Sequence, residues 1–193
     1  MGGKKIILVT GGTRSGKSEF AEDLALRMGG PVTYLATLAP GDEEMQRRVA
    51  LHRERRPARW TTIEEALEIP SRLDEAGSKP GVLLIDCLTG WLSNLLLSQT
   101  LPQPGATEAQ KEEYIDQMVE ALAASAGRSS ASVIIVTDEV GMGLVPPYPL
   151  GRLFRDMAGK AGRRMASAAD EVYLVVAGLA VEIKSRAVNL KNS

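Results

Sequence analysis

Near the start of the chain, Gly11–Ser18 (GGTRSGKS) has the residue types and spacing needed to grip phosphate. The segment fits G-x-x-x-x-G-K-[ST], with an apolar run, KKIILVT, before it and a helical pattern, KSEFAEDLALRM, after it. Each part has a chemical reason. Glycines let backbone N–H groups turn inward around an anion. The N-terminus of the following helix adds the positive end of its dipole. Lys17 is placed to neutralise β- and γ-phosphate charge, and Ser18 to ligate Mg²⁺. Arg14 lies in the same loop. The competing reading, a glycine-rich turn that binds nothing, does not account for the strand–loop–helix context.

A phosphate-binding loop (P-loop) of this kind works with an acidic partner at the end of a buried strand. Asp86, in VLLIDCLTG, stands at that place and is the candidate second metal ligand. The alternative is that Asp86 caps the next helix, for which aspartate is also well suited. Asp138 and Glu139, in VIIVTDEVGMG, end another strand, where open α/β sheets gather their sites. They are candidates for a base or for an outer metal partner, against the alternative of a solvated strand end.

His52 is the single histidine and sits in EEMQRRVALHRERRPARW. On a helix, Arg48 and Arg55 fall at i−4 and i+3 from it, and Arg53, Arg56 and Arg59 add charge nearby. Guanidinium groups pair bidentately with phosphate oxygens, so the cluster suits a polyphosphate. In that reading neutral imidazole attacks phosphorus and the arginines stabilise the charge that develops. The spacing also allows a plainer reading. Met45, Val49 and His52 share one helical stripe, and the arginines then form a solvated face paired with Glu43, Glu44 and Glu54.

The elements that must position these groups are short apolar runs alternating with longer helical patterns. Strands are expected at Lys5–Thr10, Val32–Ala36, Val82–Asp86, Val133–Thr137 and Glu171–Val176. Most are continuously apolar, as strands buried on both faces of a parallel sheet are. Helices are expected at Lys17–Met28, Asp42–Arg56, Ile63–Ala76, Thr107–Ala126 and Leu150–Ala168. The alternation specifies an α/β fold with a mostly parallel central sheet flanked by helices. Val181–Lys184 adds a short last strand after a turn at Gly178, in an antiparallel sense. Ser98–Thr107 (SQTLPQPGAT) reads as a surface loop, and Pro146–Pro149 (PPYP) as a rigid non-helical stretch. With no repeat and no linker, residues 1–193 are expected to form a single nucleotide-binding domain.

Bulk properties exclude several classes. Hydrophobic residues make up 44% and charged residues 24%, a globular rather than disordered composition. Aromatics are only 4%, so aliphatic side chains and alanine must fill the core. The 23 basic and 24 acidic residues leave a net charge of -1, which argues against nucleic acid or an anionic membrane as partner. The lone Cys87 permits no internal disulfide, consistent with a reducing compartment. No apolar run approaches the about 20 residues of a membrane helix, and no signal peptide is evident. A cytoplasmic protein without membrane insertion is expected.

VTGGTRSGKS, HRERRPARW, LLIDCLTGWLSNLL, VTDEVGMGLVP and GRLFRDMAGKAGRRMASAADEVYLVVAG occur in that order between about Ile6 and Lys184. Together they resemble the bifunctional adenosylcobinamide kinase/adenosylcobinamide-phosphate guanylyltransferase family of cobalamin biosynthesis. VTDEVGMGLVP is the most specific piece. The resemblance implies a RecA-like P-loop NTPase fold, a homotrimer and two reactions. ATP or GTP phosphorylates the aminopropanol hydroxyl of the corrinoid adenosylcobinamide. GTP then transfers GMP to that phosphate, giving adenosylcobinamide-GDP and pyrophosphate.

The resemblance also assigns residues. His52 becomes the nucleophile that carries GMP as a phosphoramidate, with Lys17 as the second catalytic residue. Nucleotide contacts fall on Gly11, Gly12, Thr13, Arg14, Ser15, Gly16, Lys17 and Ser18, on Ala36, Thr37 and Leu38, on Arg56, Pro57, Ala58 and Arg59, and on Glu64 and Asp86. Mg²⁺ falls on Ser18 and Asp86. The arginines around His52 favour the neutral, nucleophilic ring. Two places depart from the family pattern: Asp138, where asparagine is frequent, and the segment after Gly178 (LAVEIKSRAVNLKNS). Two other readings of the P-loop compete: a small-molecule kinase without nucleotidyl transfer, and a regulatory module that turns over slowly and acts through a partner.

Overall fold

The expected strand runs Ile7–Val9, Val82–Ile85 and Val133–Val136 are buried throughout, whereas the run at Glu171–Val176 ends in an exposed Val176. The computed structural model describes residues 3–38 and 57–188. Its elements in chain order are β1 (Ile6–Gly11), α1 (Lys17–Met28), β2 (Val32–Ala36), β3 (Thr61–Glu64), α2 (Ile69–Ala76), β4 (Val82–Asp86), α3 (Leu88–Leu97), α4 (Glu108–Arg128), β5 (Ser132–Asp138), α5 (Pro149–Ala168), β6 (Glu171–Val176) and β7 (Leu179–Glu182), then a 3₁₀ turn at Lys184–Arg186. The strands form one sheet in the order β3-β2-β4-β5-β1-β6-β7. All neighbours are parallel except β6 and β7, which form an antiparallel hairpin.

Alternate residues of the strands feed two cores, as the two-residue period requires. On one face Leu8, Leu35, Leu83, Ile85, Val133 and Ile135 pack against α2, α3, α4 and α5, with Trp91 and Leu92 at the centre. On the other, Ile7, Val9, Tyr34, Leu84, Ile134 and Val136 meet Ala21 and Ala25 of α1 and the ring of Trp60. Small residues on α1 let its axis approach the sheet closely, which fixes the helix that carries Lys17. At the start of α4, Thr107 accepts from the Gln110 amide while the Gln110 side chain accepts from the Thr107 amide, a reciprocal cap.

Several expectations need correction. The helix expected over Ile63–Ala76 begins only at Ile69, because Thr61–Glu64 is a parallel edge strand on β2. Leu88–Leu97 is a helix that the periodicity did not mark, since nearly every side is buried. Pro149 lies inside α5 rather than in a non-helical stretch, at the first helical position that proline suits. The expected last strand is β7, and it is antiparallel. The helix expected at Asp42–Arg56 lies outside the described residues. Among the described residues, no helix is long and apolar enough to cross a membrane.

Candidate active site

Parallel strands end in step, and the register brings the candidate residues to one edge. Ala36 of β2 is opposite both Glu64 of β3 and Asp86 of β4, while Gly11 of β1 is opposite Asp138 of β5. These are the C-terminal ends of the strands, where an open α/β sheet places its ligands.

The loop Gly11–Ser18 is held by backbone geometry. A Cβ on Gly11 would lie 2.4 Å from the Val175 carbonyl oxygen and 2.6 Å from Ser15 Oγ, so only glycine fits between β1 and β6. Arg14 (φ 59°) and Gly16 (φ 92°) take left-handed conformations, which curl the loop. The β6–β7 turn fastens it from outside: the Gly178 amide donates to the Ser15 carbonyl at 2.8 Å. Gly16 caps α1 and has no side chain to occupy its first amides. Ser15 Oγ is buried and, among the described residues, has no hydrogen-bond partner. Thr13 and Arg14 are exposed, and Ser18 is half-buried at the start of the helix.

Lys17 is nearly buried, and its ammonium meets Asp138 Oδ1 at 2.6 Å and the Gly12 carbonyl at 3.3 Å. Asp138 is therefore no solvated strand end. Its Oδ2 accepts from Thr89 Oγ1 at 2.7 Å, and its backbone N–H points back to the same hydroxyl at 3.4 Å. Glu139 is tied to the loop by its amide, which donates to the Gly11 carbonyl at 3.0 Å. Its carboxylate accepts from the Gly141 amide at 2.7 Å.

Asp86 does not cap the next helix. The N-cap is Cys87, whose Sγ accepts from the Gly90 amide. The Asp86 carboxylate instead accepts from the Tyr34 hydroxyl at 2.7 Å, which orients it at the strand end. Burial, with the charge of Asp86 adding to it, pushes the Cys87 thiol up to about 12, so it stays a neutral packing group. The Asp86–Cys87 peptide is cis.

Of the remaining candidates, Ala36, Thr37, Leu38 and Glu64 lie at the same edge, whereas Pro57, Ala58 and Arg59 precede β3 and stand at the opposite end of the sheet. Thr37 is fully buried and its hydroxyl is spent on Cys87, donating to the carbonyl and accepting from the amide, both at 2.8 Å. Its own carbonyl takes the Asn94 side chain at 2.6 Å. Leu38 is partly exposed against Gly90, and Ala36 is half-buried. Pro57, Ala58 and Arg59 form a turn closed by the Trp60 amide on the Pro57 carbonyl at 2.9 Å. Trp60 then stacks on Tyr34, with centroids 6.4 Å apart, so this turn is anchored to the residue that orients Asp86. Glu64 is exposed at the end of β3. His52 and Arg56 lie outside the described residues.

Sequence reasoning missed Tyr34, Thr89, Asn94 and Gly178. Tyr34 and Thr89 act through contacts 52 and 49 residues away, for which a single sequence carries no local signal.

Ser18 and Asp86 offer hydroxyl and carboxylate oxygens, the hard donors Mg²⁺ prefers. Among the described residues no group of three or more His, Cys, Asp or Glu gathers as a metal site. A cation here would thus draw most of its shell from phosphate and water, the usual arrangement for Mg²⁺ with a nucleotide.

The sequence family described as cobinamide kinase / cobinamide phosphate guanyltransferase matches residues 7–183. This chain belongs to that family. It is 41% identical over 182 residues to the bifunctional adenosylcobalamin biosynthesis protein CobU of Salmonella typhimurium, covering 93% of this chain and 99% of that one. It is likewise 41% identical over 177 residues to the bifunctional adenosylcobalamin biosynthesis protein CobP of Pseudomonas aeruginosa, covering 92% and 96%. Among solved structures, a type III secretion system ATPase of pathogenic bacteria superposes with TM-score 0.54 at 14% identity, over 97% of this chain and 59% of that one. A Pyrococcus horikoshii protein, PH0250, superposes with TM-score 0.55 at 9% identity, over 97% and 88%. At these identities the likeness concerns the fold, a RecA-like P-loop NTPase fold with its mostly parallel sheet and flanking helices.

Proposed function

We propose that this chain phosphorylates adenosylcobinamide with ATP or GTP and then transfers GMP from GTP to the product, giving adenosylcobinamide-GDP and pyrophosphate. The observation that carries the reading is Lys17 in an intact P-loop, at the same sheet edge as Asp86, in a chain that its bifunctional relatives match nearly end to end. Both reactions belong to one domain of residues 1–193, which works as a homotrimer in the cytoplasm.

In the first step the aminopropanol hydroxyl oxygen bonds to the γ-phosphorus. The bond to the β–γ bridging oxygen breaks, the nucleoside diphosphate leaves and the hydroxyl loses its proton. The loop amides and the α1 N-terminus hold the phosphates in place. Lys17 carries the charge that spreads over the transferring group. Ser18 and Asp86 would hold Mg²⁺, which would supply positive charge to screen the phosphates.

In the second step an imidazole nitrogen of His52 bonds to the α-phosphorus of GTP and pyrophosphate departs. A phosphate oxygen of the corrinoid then bonds to that phosphorus as the P–N bond breaks. The covalent intermediate divides one displacement between two polyanions into two. Ala36, Thr37, Leu38 and Glu64 border the nucleotide at the C-terminal ends of β2 and β3. Thr37 does so by packing, since its hydroxyl is engaged by Cys87, its amide by the Asp86 carbonyl and its carbonyl by Asn94.

The test is retention of label from α-phosphate-labelled GTP after denaturation, with Mg²⁺ and without corrinoid. Acid-labile, alkali-stable label on the native chain and none on His52→Asn is expected. No label on either, with GTP binding demonstrated, would remove His52 as the nucleophile and leave a kinase alone.

A further inference from the structure

A phosphate-binding loop normally presents its lysine to the incoming anion. Here Lys17 is already paired, at 2.6 Å, with the carboxylate of Asp138. That carboxylate is fixed rather than incidental. Thr89, itself buried, donates to Oδ2 at 2.7 Å, and the Asp138 side chain is only 29% exposed. The next residue along, Glu139, is hydrogen-bonded to the loop at Gly11, so the strand end cannot swing away without breaking backbone contacts.

A triphosphate that takes Lys17 must therefore do one of two things. It separates the ammonium from Asp138, or it accepts a fixed negative charge beside its terminal phosphate. Either penalises a bare polyanion, and water screens this half-buried site poorly. A divalent cation bound to the phosphates reverses the sign of that interaction, because a carboxylate near Mg²⁺ is attracted, directly or through a water. Asp86 at the neighbouring strand end adds to the demand for a cation.

We propose that Asp138 is a specificity-determining residue that makes this site discriminate against metal-free triphosphate in favour of the Mg²⁺ complex. The inference rests on the P-loop's being the nucleotide site and concerns ligand selection before either reaction.

The test is GTP affinity, by calorimetry on the full chain, once in EDTA and once in Mg²⁺, for the native protein and for Asp138→Asn. Removing the charge is expected to tighten binding of metal-free GTP by about tenfold or more, the size of one unit charge several ångströms away at an intermediate dielectric. Affinity for Mg·GTP should change by less than about threefold, so the preference for the metal complex shrinks. Asp138→Ala, which offers no amide, should follow Asp138→Asn. Thr89→Val keeps the charge and should tighten metal-free binding much less.

An Asp138→Asn protein that binds metal-free GTP no more tightly than the native chain overturns the inference. So does a Thr89→Val protein that matches it, since local rearrangement rather than charge would then be the cause. Failure of both proteins to bind even Mg·GTP would instead overturn the nucleotide reading and this inference with it.

Discussion

The middle of the sheet and its C-terminal edge are built from the same strands and obey opposite rules. In the middle, Leu84, Ile85, Ile134 and Ile135 are almost completely buried, make no polar contact through their side chains and are stabilised by area and close packing. A few residues further along the same strands, Asp86 and Asp138 are only partly buried, and each has a dedicated hydroxyl partner. The fold and the site are therefore separable along one strand. The middle supplies rigidity without discrimination. The edge adds directed hydrogen bonds at little cost to the core, because each carboxylate is oriented by a neighbour whose ring or backbone belongs to that core.

Substitutions that respect or violate this separation sharpen it, beginning with the largest expected effect. Trp91→Ala removes a fully buried ring and leaves the Leu67 carbonyl without its 2.7 Å donor. It should destabilise the chain by about 3–5 kcal/mol in denaturant melts. GTP affinity of the remaining folded fraction should stay near native, and a parallel loss of affinity would show that the two regions are coupled.

Gly11→Ala falls on the junction, where the new methyl would press on the Val175 carbonyl and Ser15. Overpacking of about 1–3 kcal/mol is expected there, together with weaker GTP binding, because the loop itself must shift. Native-like binding would mean that β6 yields more readily than the loop.

Tyr34→Phe keeps the ring stacked with Trp60 and removes only the hydroxyl on Asp86. The cost should be about 1 kcal/mol in stability, with a modestly higher Mg²⁺ requirement in the kinase assay. A shift in stability with no change in Mg²⁺ dependence would confine Tyr34 to the core.

The smallest effect belongs to Glu182, at the end of the β6–β7 hairpin farther from the Gly11–Ser18 loop. Hydrogen bonds from Ser185, Val172 and Lys184 hold its carboxyl down at about 2, from an ordinary 4.5. A lowered folded-state value means that its stabilisation is complete above the ordinary value and disappears as pH falls from there through about 2. Glu182→Gln should flatten the acid limb of the stability–pH curve between those values and leave GTP affinity at neutral pH unchanged. An unaltered acid limb would count against the assignment.

Much of this arrangement is legible in the sequence, for physical reasons that also explain what is not. Gly11–Ser18 announces itself because the chemistry is local and its backbone demands glycine. The buried strands β4 and β5 are continuous apolar runs. Thr61–Glu64 gives no such sign. It is a four-residue strand that pairs with β2 at the edge of the described sheet, and its sequence blends into the helical pattern that follows. Leu88–Leu97 hides for the opposite reason, since a helix buried on most sides loses its amphipathic period. Asp86 and Asp138 could be nominated from their strand ends. That Tyr34 orients the first, and that Lys17 and Thr89 share the second, are facts of packing between distant segments.

The central claim is that Lys17 and its loop hold the phosphates during phosphoryl transfer. It is tested most directly by following label from γ-phosphate-labelled ATP into adenosylcobinamide, for the native chain and for Lys17→Met. Labelled adenosylcobinamide phosphate is expected from the native chain, and a rate lower by about a hundredfold or more from the variant, as when a main stabiliser of transition-state charge is removed. Equal rates, with Lys17→Met folded, would contradict it.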